Sequence, residues 1–202
     1  MSRRSAVWLI GTLLAAAPLV AQGRLSKEEA DRFQSKLTKI VAFGNAPAAA
    51  AKTTQSHNTP VTDLEVNSYL KYRAGDQVPT GIVDPELSAL GSGRVAGKAV
   101  VDLDAVRTQK KRGWLDPLGY LTGRLPVTAS GVLTTKDGKG QFQLQSAEIS
   151  GVTIPKSVLQ ELLSHYSKSP ENPEGINMDA PFELPAKIRE IRVGTGTSTV
   201  VQ

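Results

Sequence analysis

Few residues of this chain combine the types and spacing that chemistry demands. Its two histidines, His57 and His165, lie far apart, and neither has a serine or carboxylate at a spacing that would make it the base of a nucleophilic pair. Both read as ordinary surface histidines. Asp102 and Asp104 would share one face of an extended strand, where two carboxylates could hold a cation or divide an acid and a base task. A strand with one wet face explains them equally well, and no third oxygen ligand follows at a recognisable spacing. Glu171, Glu174 and Asp179 share a loop that lacks the ligand order and central glycine of a calcium loop. The chain contains no cysteine, which removes thiol chemistry, disulfides and a cysteine lipid anchor together. The expectation is a non-enzymatic protein without metal or cofactor.

One segment has a composition that points to a surface. Arg107, Lys110, Lys111 and Arg112 run into Trp114, Leu115, Leu118, Tyr120 and Leu121. Cations beside an aromatic and aliphatic stretch suit an anionic membrane, with the charges on head groups and the indole at the interface. The expected contacts are Arg107, Lys110, Lys111, Arg112, Trp114, Leu118 and Leu121. A solvated turn leading into a short core helix would have the same composition. The formal charge of +5 falls to +3 once Arg3 and Arg4 are removed with a leader. That excess argues poorly for nucleic acid and better for an anionic membrane or wall polymer.

Such a leader is expected over residues 1–21. Arg3 and Arg4 precede an apolar run from Ala6 to Val20, the charged-then-apolar order of a secretory signal, with cleavage after Ala21. The run is short for a membrane span, which needs about 20 apolar residues. The expected location of the mature protein is therefore periplasmic or extracellular. About 180 residues remain, the usual length of one domain.

The elements follow from periodicity and punctuation. Ser26-Lys27-Glu28-Glu29 reads as a capping box; Ala30, Phe33, Leu37, Ile40 and Val41 then recur at helical spacing up to Gly44, so residues 22–44 are expected to hold an N-terminal helix. Residues 45–60, alanine-rich and then polar, read as a flexible linker before an α+β domain over 61–202. Thr62-Asp63-Leu64-Glu65 is a second capping box. A strand is expected from about Ile82 to Leu90, turning at Gly91-Ser92-Gly93 into another over Arg94 to Ala105, whose odd positions are apolar. Leu125, Val127, Ala129 and Leu133 continue the alternation, Asp137-Gly138 supplies a tight hairpin turn, and Phe142 and Leu144 resume it. Parity shifts near Ser146, because Ala147 and Ile149 carry the apolar side onward, which predicts a bulge. Pro155 opens a helix striped with Val158, Leu159, Leu162, Leu163 and Tyr166, and a last hairpin turns at Gly194-Thr195-Gly196. Together these describe an α+β fold: a curved antiparallel sheet with two to three helices packed on one face.

The order Thr62-x-x-Glu65-Val66-Asn67, long alternating strands, Ile149-Ser150-Gly151-Val152-Thr153-Ile154-Pro155 before an amphipathic helix, and Leu184-Pro185 before a closing hairpin resembles small exported proteins of the tubular lipid-binding (TULIP-like) superfamily. The likeness covers most of Val61 to Gln202. It implies a curved sheet wrapped on a helix, with an apolar groove for acyl chains. Small strand residues such as Ala99, Val101, Val127 and Ala129 leave room over such a sheet. The expected groove lining is Phe142, Ile149, Leu159, Leu162, Leu163 and Tyr166, and the expected partner a lipid or other apolar molecule. The alternative is an envelope interaction module in which these same faces form a closed core that docks another protein.

Overall fold

Local signals place the helices, and long-range pairing ties them to the sheets. The computed structural model describes residues 23–46, 56–109, 122–168 and 172–202; residues 1–22, which include the expected leader 1–21, lie outside that set. Helix α1 spans Lys27–Asn45 and starts at Ser26, whose side chain accepts from the Glu29 amide at 3.2 Å. The box expected there is only half made. The Ser26 amide donates instead to Ser68 Oγ at 3.2 Å, and Glu29 pairs with Arg32. The second box is complete. Thr62 Oγ1 accepts from the Glu65 amide at 3.2 Å and Glu65 Oε2 accepts from the Thr62 amide at 2.8 Å, which opens α2 at Asp63–Tyr72.

The two helices pack on each other around Ala30, Tyr69 and Ala74, with Phe33, Leu37, Leu70 and Val78 at the margin. The Phe33 and Tyr69 rings meet edge to face, 5.2 Å between centroids, a favoured geometry for ring quadrupoles. Lys36 adds an ion pair to the buried Glu65. Burial by itself would raise the Glu65 pKa, but the Lys36 ammonium and the Thr62 amide outweigh it and hold the carboxyl below its ordinary value.

Two antiparallel sheets follow. The smaller has the order β1-β9-β8, from Asn58–Thr62, Thr197–Val201 and Glu190–Val193. The larger is open and runs β2-β3-β4-β5-β6: Ile82–Gly91, Arg94–Asp102, Arg124–Lys136, Lys139–Ile149 and Val152–Thr153. A short β7, Phe182–Glu183, also pairs with β5. The fold is α+β as expected. The linker reading needs one correction, since Asn58, Thr59 and Pro60 belong to a strand. Only two inward residues, Thr59 and Val61, alternate with the exposed Asn58, Pro60 and Thr62, too short a run for periodicity to register. That strand is defined by pairing with β9, where Asn58 faces Val201 and Thr62 faces Thr197. Residues 47–55 lie outside the described set.

Helix α2 also closes the free edge of β2. The Asn67 side chain donates to the Leu87 carbonyl and accepts from the Leu87 amide, both at 2.8 Å, and Asp63 Oδ2 accepts from the Ala89 amide at 2.9 Å. Polar side chains thus stand where a neighbouring strand would, one way to protect an edge.

Candidate functional site

The six-stranded sheet carries an apolar face, and its register shows how. In β3 and β4, Gly97 faces Ala129, Ala99 faces Val127 and Val101 faces Leu125. Side chains alternate along a strand, so these residues share one face. Between β4 and β5 the pairs Val127–Ile149 and Ala129–Ala147 continue that face, after which the register shifts: Ser130 faces Ser146 and Gly131 faces Leu144. Gln145 is the extra residue. The bulge keeps Phe142 and Leu144 on the same face as Ala147 and Ile149, which strict alternation would have split. It falls where the parity change predicted it.

Helix α4, Lys156–Ser167, lies over this face. A two-residue turn at Ser150 and Gly151, both at positive φ, reverses the chain from β5 into β6, and Pro155 precedes the first helical residue. Leu159, Leu162 and Leu163 recur at i, i+3 and i+4, so they point together toward the sheet, yet all three stay half-exposed. A cavity of about 630 Å³ separates helix from sheet, within the roughly 300–1,000 Å³ range of small-molecule sites. Its roof is Leu159, Leu162, Leu163 and Met178; its floor includes Gly97, Ala99, Ala129 and Ala147; Val127, Phe142, Leu144, Ile149, Leu103 and Leu125 complete the walls.

Glu86, Lys98, Thr128 and Glu148 also border the cavity. They form one registered row across β2 to β5, at positions that alternate with the apolar ones. Their side chains therefore point to the other face, where Lys98 Nζ pairs with Glu86 at 2.9 Å. Among the described residues, no polar side chain is directed into the cavity. From the described residues a ligand inside would find apolar contact and no hydrogen-bonding side chain.

The structure thus gathers five of the six expected groove residues, Phe142, Ile149, Leu159, Leu162 and Leu163, around one space. Tyr166 follows on α4, its side chain outside the described residues. Leu87, Gly97, Leu103, Leu125 and Met178 were not expected there; Gly97 carried a legible signal, a glycine amid an apolar alternation. Of the expected membrane contacts, Arg107 falls within helix α3, Leu103–Gln109, with its side chain undescribed. Lys110, Lys111, Arg112, Trp114, Leu118 and Leu121 lie outside the described residues.

The polar candidates do other work. The strand expected to continue to Ala105 ends at Asp102, so Asp102 and Asp104 do not share a strand face. Asp102 accepts from the Ala105 amide at 3.1 Å and from Arg124 Nε at 3.0 Å, which turns the chain into α3 and holds its carboxyl below the usual aspartate range. His57 is exposed, stacks on Phe43 with 5.2 Å between centroids, and exchanges backbone hydrogen bonds with Gln202. His165 is an exposed residue of the last turn of α4. Asp179 pairs with Lys156 across the foot of α4. Among the described residues, no three histidine or carboxylate side chains are placed to share a metal ion, and no helix is long and apolar enough to cross a membrane.

These features define an α+β protein with an open antiparallel sheet and an apolar cavity beneath one helix. No protein-family model matches the chain, and no curated protein matches it. Among solved structures, the crystal structure of a lipopolysaccharide binding protein is similar over 72% of this chain and 40% of its own, at 15% identity and a TM-score of 0.22. The chain therefore spans less than half of that protein. So loose a superposition sets up no correspondence between residues, and the site stands on its own geometry.

Proposed function

We propose that this chain is a non-enzymatic, exported envelope protein that takes an acyl chain or a similar apolar ligand into the space between the six-stranded sheet and α4. One observation carries the reading: about 630 Å³ of cavity whose inward side chains, among the described residues, are all apolar. Protein interiors normally pack to the density of organic crystals, so a space of this size beneath a leucine-striped helix is unusual for a closed core. Each methylene taken from water contributes about 0.8 kcal/mol, and eight of them would supply roughly 6 kcal/mol before the cost of immobilising the ligand. The resemblance to tubular lipid-binding proteins points the same way, and the leader-like residues 1–21 support export. The basic and aromatic segment from Arg107 to Leu121 would meet the membrane that supplies the ligand.

The test is native mass spectrometry of the mature protein from its own host, with organic extraction of whatever co-migrates. A stoichiometric lipid is expected. A Leu162→Asp variant, shown to be folded by circular dichroism, should lose it, because a carboxylate in the roof would be desolvated without a partner. An apo mass that persists after phospholipid is added would instead favour a protein-docking module with no small ligand.

A further inference from the structure

Three glycines occupy interior positions of the large sheet, and the space around each differs. At Gly131 a Cβ would lie 2.4 Å from the Gln143 carbonyl oxygen and 2.5 Å from the Phe142 ring; at Gly140 it would lie 2.5 Å from the Phe182 ring. At Gly131 the near atom is backbone and glycine is required, whereas at Gly140 the exposed Phe182 ring would have to swing aside. At Gly97 the nearest atoms would be Leu87 Cδ2 at 3.4 Å and the Glu86 carbonyl oxygen at 3.7 Å, ordinary contact distances, and the residue has no left-handed φ. Neither backbone nor neighbours require glycine there, although glycine weakens a strand. The space its missing side chain leaves open is part of the cavity.

Gly97 is also registered with Ala129, and Ala129 with Ala147, so the cavity floor is lowest along one line crossing β3, β4 and β5 at right angles to the strands. Leu87 of β2, 48% exposed, stands opposite Gly97 at one end, and Ala147 of β5 lies at the other. Neighbouring same-face rows are about 6.7 Å apart and strands about 4.8 Å apart. The slot is thus about 14 Å long from β2 to β5 and about one row wide at β4 and β5, where Val127 and Ile149 border it on one side and Phe142 and Leu144 on the other; it widens at β3, where the small Ala99 stands next to Gly97.

Resting on the apolar-ligand reading above, we infer that the cavity is a slot for a single unbranched chain lying across the strands, with Gly97 setting its depth. A fused-ring molecule such as a sterol is wider than one row and fits poorly. The ligand class is therefore a linear acyl tail, its polar end left outside because none of the described polar side chains points inward.

The experiment titrates the full mature chain, delipidated, with two intrinsically fluorescent probes, the linear cis-parinaric acid and the sterol dehydroergosterol. The wild type should bind the linear acid and discriminate against the sterol by at least about tenfold, the equivalent of roughly two buried methylenes. Gly97→Val should fold at least as well as the wild type, since valine favours a strand, yet bind the linear acid about tenfold more weakly. Ala129→Leu fills the same slot from the next strand and serves if Gly97→Val does not fold. Gln143→Val, on the opposite face of β5, should leave binding unchanged. Unaltered binding in folded Gly97→Val and Ala129→Leu, or a sterol bound as tightly as the acid, would overturn the slot while leaving an apolar-ligand protein. A wild type that binds neither probe would overturn both readings.

Discussion

The molecule uses its apolar residues in two ways at its two ends. At the α1 and α2 end they make a filled core: Ala30, Tyr69 and Ala74 are all but closed to solvent, and Ile40, Val61, Ile188 and Val201 are buried nearby. Under α4 the residues are as apolar, but only Ala147 of the floor and Leu103 at its end are buried to the same degree. The leucines of α4 face the cavity and stay partly exposed. The contrast separates residues that hold the fold from residues that hold space within it, which hydrophobicity alone does not distinguish.

Substitutions in the two regions should therefore fail differently. The largest loss of stability is expected for Tyr69→Ala, about 4 kcal/mol in urea unfolding, as a large ring leaves a closed core; uptake of an apolar probe by the remaining folded protein should be unchanged. A variant that lost uptake while still folded would erase the division between the two ends.

Next comes the ion pair in the closed end. Lys36→Met should cost about 3 kcal/mol by leaving the Glu65 carboxylate buried without its cation. The same pair sets a pH dependence. The folded pKa of Glu65 lies below its ordinary value of 4.5, so its contribution is complete above about that pH and fades as pH falls through the folded value. Glu65→Gln should flatten that part of the acid limb of a stability profile. An unchanged limb would place the acid sensitivity elsewhere.

The smallest stability effect is expected at the open end. Leu162→Ala removes a half-exposed side chain and should cost no more than about 1 kcal/mol in urea unfolding, while weakening ligand uptake clearly. A loss as large as that of Tyr69→Ala would mean that α4 closes a true core.

Much of this arrangement was legible from residues alone. The stripe Leu159, Leu162 and Leu163 and the parity change near Ser146 mark most of one side of the cavity by spacing alone. The cavity residues that went unnamed, such as Met178 and Leu125, enter through contacts between distant segments. Asp102 misled because Leu103 and Ala105 extend an alternation that continues by composition, while the backbone has already turned under the Asp102 cap. The half-made box at Ser26 is similar: Ser68, 42 residues away, takes the bond that Glu29 was expected to make.

What the sequence determined by itself is the set of local elements: the helices opened at Ser26, Thr62 and Pro155, the hairpins at Gly91 to Gly93 and Asp137-Gly138, and the bulge in β5. Each depends on residues within a few positions of one another, where spacing and backbone preference act directly. Tertiary structure alone decided that Asn58 to Thr62 would be a strand on β9, that α2 would close the edge of β2, and that the described residues would leave the face under α4 unfilled. Those outcomes depend on registers between segments far apart in the chain, and on how much volume facing surfaces leave between them, which no local window of residues contains.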